Sequence, residues 1–454
     1  PMVGAILALF SYDLLESTLL AYNGEGVLTA LGFTLPITTA IAAIAIGTSI
    51  RTNNKVVKQA CLQQDELAKT IVSSVISSSL LISVLSLLFY LANDLFLATL
   101  GSTSWSASNA NFNQITESQH TYLNARYLGW VFLTVIWQVN GVFRALGKST
   151  LASGLLFSWL LTKSILAIVL LTPESSWYLV GLLGLAVNHF SVDLLFAFIS
   201  IGFLINKVPV KWPSMSQVRE VFFTPRSDSL AGGIVISQQL ITPISIALLT
   251  IIAASIDSTY IAAFAIILRM ESLFLLIPMV LTASMPCIIG INYWSGSMER
   301  VKQAYLIAFA VIVFSQSLIA LLLYLNSDIL SYFICSETSV AMFISNYLIW
   351  VPLGYVGAGC AIVYQSCLNS EGKTLIASII GITHRLLFLL PLALLGAFVN
   401  TENSFFQAIM FGHLLSGGFV IYLYKNRKLR VAPQQQTENT LVLNSDNLKL
   451  IKET

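Results

Sequence analysis

Several acidic and basic side chains of this chain lie inside long apolar segments, and they are its best candidates for chemistry. A charge in apolar surroundings is unfavourable unless it is paired, hydrated or able to exchange a proton. We therefore expect ion pairing or proton exchange at these positions. The set comprises Asp13, Glu16, Arg126, Lys163, Asp193, Arg269, Glu271 and Arg385.

Glu16 has the position that best suits proton exchange. Asp13 and Glu16 are three residues apart, so a helix places them on one face, and a buried carboxyl can take up a proton near neutral pH. Both acids are therefore candidates for proton binding, and a structural ion pair is the alternative. Three roles are open for Lys163. It could act in a proton switch, in which protonation of Glu16 frees the ammonium, or it could form a permanent pair with Glu16. Its side chain could also reach the membrane interface. Asp193 is a further candidate partner.

The second half of the chain carries a different set of polar residues. We expect Glu271 to pair with Arg385 between two helices, in a structural role. His189, His384 and His413 are isolated in sequence, and we interpret each as a hydrogen-bonded interior histidine.

The composition identifies the elements that must position these residues. Of 454 residues, 56% are hydrophobic and only 10% are charged, with a mean hydropathy of +0.81. Because soluble domains carry about 25% charged residues, a soluble enzyme, a nucleic-acid-binding protein or a disordered chain is excluded. The five cysteines form no C-x-x-C pair, so neither a disulfide framework nor a zinc site is expected. The remaining class is a helical membrane protein.

Twelve mostly apolar stretches are long enough to predict spanning helices, which need about 20 residues. The first contains no cleavage site, so we expect no cleaved signal peptide. Because the sequence starts at Pro1, almost inside a helix, we expect the natural chain to begin earlier. The stretches are residues 2–22, 27–50, 70–93, 123–143, 151–171, 178–205, 230–254, 259–289, 303–325, 340–367, 375–398 and 404–424.

The placement of Lys and Arg predicts the orientation. All but four of the 23 lie in alternate connections and in the C-terminal tail, and the intervening loops carry only acids such as Glu117 and Glu337. Cytoplasmic loops are enriched in Lys and Arg. Both termini are therefore predicted to be cytoplasmic.

A repeat divides the chain in two. Residues 145–153 (ALGKSTLAS) resemble residues 370–378 (SEGKTLIAS), and Asn140 and Gln365, separated by the same offset, are amides in the preceding helices. Parallel repeats of this kind are known in transporters. We predict two six-helix bundles at residues 1–206 and 227–424, related by pseudo-twofold symmetry, with a cytoplasmic linker at 207–226 and a polar cytoplasmic tail at 425–454.

At this point the sequence resembles the MATE (multidrug and toxic compound extrusion) family, in its bacterial DinF-like branch, over residues 1–424. Pro1, Glu16 and the segment 28–32 (LTALG) have the spacing of the first family motif, and the segment 262–271 (AAFAIILRME) is similar to a second one. Further motif positions are Pro286, Gly290, Asn292, Gly296, Arg300, Gly372, Lys373, Arg385 and Pro391.

The resemblance implies a V-shaped fold of two six-helix bundles and export of amphipathic or cationic compounds, driven by inward flow of protons or Na⁺. It also implies that Glu16 stands at the family's functional position, where Asp is usual. Lys163 and Ala167 stand where the family commonly has Asn and Asp, and Gln238 and Gln239 occupy the region of an acid in the Na⁺-linked branch. The cation site is therefore altered, and we expect proton coupling. Asn140, Gln365, Gln238, Gln239, Glu271 and Arg385 are candidates for a substrate cavity or a polar network of the second bundle.

Three alternatives remain at this point: a lipid-linked oligosaccharide flippase of the same superfamily, a membrane-embedded enzyme, and a receptor or scaffold without transport. The sequence contains neither H-E-x-x-H nor G-x-S-x-G, which disfavours the enzyme. We expect a monomer in the bacterial inner membrane, with no cofactor, no metal and no nucleic-acid partner. The transmembrane proton or Na⁺ gradient is the expected energy source.

Overall fold

The chain divides into two compact units, and the computed structural model describes each of them. The described residues are 2–21, 25–62, 66–99, 112–179, 181–208, 228–256, 260–334, 338–399 and 402–427. The units are Pro1–Gly232 and Gly233–Thr454, called here the N-unit and the C-unit. Most of the predicted linker 207–226 and of the tail 425–454 lies outside the described residues. The side chain of Arg269 and those of the 28–32 motif, except Leu31, are also outside the description.

The N-unit is built from long helices and one short one. They are α1 Met2–Ala21, α2 Glu25–Leu62, α3 Leu67–Leu91, the short α4 Asn93–Thr99, α5 Phe112–Ala145, α6 Ser149–Leu171 and α7 Gly181–Lys207. Helix α5 packs against α2, α3, α6 and α7. Its aromatic side chains, with Trp130 at the centre, form much of the apolar core.

The C-unit repeats this order of elements. Its helices are α8 Asp228–Ile256, α9 Tyr260–Phe274, α10 Leu276–Trp294, α11 Met298–Leu325, the short α12 Ser327–Ile334, α13 Thr338–Ser370, α14 Thr374–Ile382, the π-helical turn Thr383–Leu389, α15 Leu390–Phe398 and α16 Glu402–Lys425. Helix α13 corresponds to α5, and it packs against α10, α11, α14 and α16.

The described residues of the twelve predicted segments lie almost entirely in helices, which confirms the all-helical class. Among the described residues, ten helical spans are long and apolar enough to cross a membrane. Helices α2 and α5 are not among them, and both carry more polar residues, including Arg51 in α2 and Arg126 in α5.

Two of the predicted segments are not single α-helices. The stretch 259–289 breaks at Leu275, because Pro278 has no N–H to donate to the carbonyl of Phe274. In the stretch 375–398, residues 383–389 form a π-helical turn, in which the N–H of Leu390 bonds to the carbonyl of Arg385. Pro391 follows directly and likewise lacks the donor of a regular helix. Apolar content alone does not reveal such breaks.

The sequence repeat corresponds to a repeated turn. Gly147 follows α5 with φ 75°, and Gly372 follows α13 with φ 78°. In each turn the next N–H, of Lys148 or Lys373, bonds to a carbonyl five residues back, at 2.9 and 3.0 Å. This is the glycine-containing helix end in which a positive φ favours Gly over other residues. The same backbone geometry therefore recurs at the same offset as the sequence match.

A buried acid makes the C-unit turn different from its N-unit counterpart. The Glu371 carboxylate accepts hydrogen bonds from the Tyr305 hydroxyl at 2.7 Å and the Lys373 ammonium at 3.0 Å, and it pairs with Arg427. Burial alone would lower the pKa of Arg427, but its hydrogen bond with Glu371, together with the charge of Glu371 and the nearby Tyr305 and Tyr364, raises the pKa. Leu146 occupies the equivalent position in the N-unit. This cluster therefore fastens the residues after α16 to the α13–α14 turn.

Two C-unit helices approach each other at glycines. A Cβ on Gly417 of α16 would lie 2.5 Å from the Cα of Gly357 of α13, closer than real Cβ atoms come. Small residues allow helix backbones to pack this closely in membranes. A Cβ on the neighbouring Gly418 would have no atom within 4 Å.

Candidate functional site

The intramembrane charges of the N-unit come together where α1, α5, α6 and α7 pack. We call this group the N-unit network and define it by five residues: Glu16, Arg126, Lys163, His189 and Asp193. Asp193 is 0%, Lys163 2% and His189 7% exposed. Water therefore contributes little to neutralising these charges, so they must compensate one another.

His189 lies between Glu16 and Lys163. Its Nε2 is 3.2 Å from Oε2 of Glu16, and its Nδ1 is 2.8 Å from Nζ of Lys163. The direct Glu16–Lys163 pair considered from the sequence is therefore replaced by a bridge through an imidazole. From the sequence we interpret His189 only as a hydrogen-bonded interior histidine, so its bridging position was not predicted.

Asp193 is the acid that neutralises the two buried cations. Its Oδ1 is 2.9 Å from Nζ of Lys163, and its Oδ2 is 3.6 Å from Nη1 of Arg126. The indole N–H of Trp159 donates to the same Oδ1 at 2.9 Å. Lys163 thus forms its ion pair with Asp193, whereas from the sequence we considered mainly a pair with Glu16.

Aromatic rings enclose the ammonium and the carboxylate. Nζ of Lys163 lies 4.4 Å from the ring centre of Trp159 and 5.8 Å from that of Tyr12, within cation–π range. The hydroxyl of Tyr12 hydrogen-bonds Glu16 and accepts a bond from the Asn188 amide at 3.1 Å. These contacts hold both charged groups in fixed positions.

The same four-residue spacing occurs on each of the four helices that form the N-unit network. Each helix places an aromatic or histidine residue four positions before a charged one, and such pairs lie on the same helix face. The pairs are Tyr12–Glu16 on α1, Tyr122–Arg126 on α5, Trp159–Lys163 on α6 and His189–Asp193 on α7. This spacing is the sequence signal that could have identified His189.

Asp13 is placed differently from Glu16. Its side chain is exposed, whereas that of Glu16 is partly buried. The two acids on α1 therefore differ in burial, and the role of Asp13 stays a prediction.

Some buried donors and acceptors of the network have no hydrogen-bond partner. They are Nε and Nη1 of Arg126 and Oδ2 of Asp193. Nη1 of Arg126 and Oδ2 of Asp193 lie 3.6 Å apart, so these two atoms form an ion pair beyond hydrogen-bond distance.

The amide candidates hold helices together. The side chain of Asn140 donates to the carbonyl of Ala152 at 2.7 Å, linking α5 to α6. Gln365, at the equivalent offset, lies against Gly381 of α14. Gln238 is buried and accepts a hydrogen bond from the hydroxyl of Ser378 at 3.3 Å. Gln239 is half-buried.

The C-unit has its own polar residues. Glu271 and Arg385 are close enough for their charges to interact. His384 and His413, which the sequence presents as isolated, lie side by side, with Nε2 of one 3.0 Å from Nδ1 of the other. His384 and Arg385 both belong to the π-helical turn. This turn therefore positions one partner of the His384–His413 contact and one partner of the Glu271–Arg385 interaction.

Solved structures with this architecture are transporters. The chain aligns with a mutant of the Vibrio cholerae MATE transporter VcmN at 23% identity and a TM-score of 0.82, covering 94% of each chain. It also aligns with a MOP superfamily transporter of Pyrococcus furiosus, described as having a binding pocket of reverse polarity, at 16% identity and a TM-score of 0.83, covering 94% of this chain and 93% of that one. The fold is therefore the one that these two membrane transporters share.

A family model matches part of the sequence, and one curated relative matches most of it. Residues 235–395 match the family model described as MatE. A curated relative, the FAD transporter of Shewanella oneidensis, is 22% identical over 442 residues, which cover 93% of this chain and 92% of the relative. Residues 235–395 thus match the family that the sequence motifs indicated, while the DinF-like branch remains a prediction.

Proposed function

We propose that this transporter exports organic compounds in exchange for protons, and that Glu16 binds the proton. The observation that carries the proposal is the position of Glu16: a partly buried carboxylate, held by Tyr12 and His189, in a network whose other charges are fixed. Such a carboxylate can exist in a charged and a protonated form.

Lys163 favours a proton over Na⁺ at this site. With an imidazole between them, the ammonium lies about 7 Å from a cation bound at Glu16, and at an effective dielectric of 20 the repulsion is about 2.4 kcal/mol. That repulsion weakens Na⁺ binding by roughly 50-fold. A proton merges with the carboxyl and removes its charge, so it adds no second ion beside Lys163. Proton coupling and antiport across the bacterial inner membrane follow from this proposal.

The test is transport by purified protein in liposomes. Efflux of a cationic dye is measured under a proton gradient and, separately, under a Na⁺ gradient. Glu16→Gln should abolish proton-driven efflux, and Glu16→Asp should retain part of it, because the carboxyl remains but moves back by one methylene. Glu174→Gln, an exposed acid outside the network, is the matched control and should transport normally.

Asp13→Asn is an additional arm of this experiment. Normal efflux by this variant would restrict coupling to Glu16, and loss of efflux would add Asp13 to the coupling residues. Normal proton-driven efflux by Glu16→Gln contradicts the proposal, and the acid to test next is then Glu271.

An anionic cargo is the second candidate. Two cations, Arg126 and Lys163, lie in the N-unit interior, and among the described residues Nε of Arg126 has no hydrogen-bond partner. The curated relative from Shewanella oneidensis is named an FAD transporter, and FAD carries a pyrophosphate. A lipid-linked oligosaccharide presents the same group, so the flippase alternative requires the same chemistry. Liposomes loaded with the dye, with FAD or with a lipid-linked pyrophosphate distinguish the three cargoes.

A further inference from the structure

The contacts of His189 determine which of its ring nitrogens carries the proton. An ammonium has three donors and no acceptor, so Nδ1, which lies 2.8 Å from Nζ of Lys163, must be the accepting nitrogen. In a neutral imidazole the other nitrogen then bears the hydrogen. Nε2 therefore donates to Glu16, whose carboxylate oxygen is 3.2 Å away.

This arrangement leaves a single lone pair for two cations. Nδ1 accepts a hydrogen from Lys163, or it takes up a proton and becomes a donor itself, but it cannot do both. We propose that the Lys163 ammonium and a proton compete for Nδ1 of His189, so that His189 is protonated only when Lys163 withdraws from it. The inference rests on the proposed function, because His189 contacts Glu16, the carboxylate that is proposed to bind the transported proton.

The surrounding charges make Lys163 the group that moves. The titratable and charged groups near His189 are Tyr12 and Glu16 on α1, Tyr122 and Arg126 on α5, Lys163 on α6 and Asp193 on its own helix α7. Two carboxylates balance two cations, so an imidazolium would add one uncompensated positive charge. Lys163 is in direct contact with the nitrogen that gains the proton, whereas Arg126 pairs with Asp193 from the other side.

Asp193 provides the position to which Lys163 withdraws. The ammonium already bonds Oδ1 of Asp193 at 2.9 Å and lies over the ring of Trp159. Leaving His189 therefore removes one hydrogen bond and keeps the ion pair. The side chain can exchange partners without becoming an unpaired charge.

The experiment observes the imidazole directly. Protein labelled with ¹⁵N-histidine is studied by NMR in lipid bilayers as the pH is lowered. The chain has four histidines, and the signals of His189 are those that disappear in His189→Asn. Native protein should show a hydrogen on Nε2 alone, and His189 should take up its second proton only at low pH.

Removal of the competitor should change this result. In Lys163→Met the second hydrogen should appear at a pH at least one unit higher than in native protein. Lys163→Arg, which keeps a cationic donor, should behave as native protein does. Arg126→Gln removes an equal charge without touching Nδ1, so its effect should be clearly smaller than that of Lys163→Met.

Three outcomes would overturn the proposal. They are a native hydrogen on Nδ1, an unchanged titration in Lys163→Met, and an equal shift in Arg126→Gln, which would indicate through-space repulsion without competition. If Lys163→Met does not fold, the double variant Lys163→Met/Asp193→Asn, which removes one charge of each sign, is titrated with the same criteria. Because NMR needs no transport, this result is independent of the efflux test of Glu16.

Discussion

Substitution of Asp193 by Asn should strongly destabilise the N-unit. Asp193 is fully buried, and it is the shared carboxylate of Lys163 and Arg126. At 2.9 Å and an effective dielectric of 20, the attraction to Lys163 alone approaches about 6 kcal/mol. An Asn oxygen still accepts from Lys163 and Trp159, which recovers about 1–2 kcal/mol. The expected loss is therefore about 3–5 kcal/mol, the range measured when one partner of a buried pair is removed.

A double variant tests whether the loss of stability in Asp193→Asn comes from the unpaired charge of Lys163. In Lys163→Met/Asp193→Asn the pair is replaced by uncharged groups of similar size, which is often neutral or stabilising. The double variant should therefore regain at least about 2 kcal/mol relative to Asp193→Asn. Unfolding free energies of native protein, both single variants and the double variant, obtained by titration with a denaturing detergent, complete the double-mutant cycle. A loss below about 1 kcal/mol in Asp193→Asn would refute the reasoning.

Three further outcomes are expected. Gly417→Leu should prevent α13 and α16 from packing and lower the yield of folded protein, whereas Gly418→Leu should be tolerated, because a Cβ there meets no atom within 4 Å; gel filtration of both proteins is the measurement. Gly372→Ala should cost about 1–2 kcal/mol, since φ is 78°, and an unchanged unfolding midpoint would contradict the left-handed turn. A cysteine at Glu117 should react with an impermeant reagent outside intact cells and one at Arg219 should not, and the reverse labelling would invert the predicted orientation.

The fold was largely predictable because length and apolar content determine membrane helices. The described residues of the twelve predicted segments lie almost entirely in helices, and the repeat of residues 145–153 at 370–378 recurs as a turn with a similar φ and the same pattern of hydrogen bonds. The short helices α4 and α12 were not predicted, because each is too short to give an apolar signal. The breaks at Leu275 and in the π-helical turn arise from prolines whose effect on a membrane helix depends on the neighbouring helices.

The site was predictable residue by residue but not in its pairing. Glu16, Lys163 and Asp193 were selected because they are charges in apolar segments. Which of them meet depends on how α1, α6 and α7 rotate about their axes, and the sequence of one helix does not determine that rotation. His189 was overlooked for a different reason: a neutral imidazole is not unfavourable in an apolar segment, so it is not conspicuous in the sequence.

The two repeated turns, at Gly147–Lys148 and Gly372–Lys373, also have a consequence for how the chain enters the membrane. Each turn is closed by hydrogen bonds within six consecutive residues, as between Phe143 and Lys148, so it forms without any other helix. Each also carries a lysine, which retains a turn on the cytoplasmic side during insertion. We therefore expect α5–α6 and α13–α14 to insert as helical hairpins that set their own direction, one in each half of the chain, before the remaining helices assemble around them.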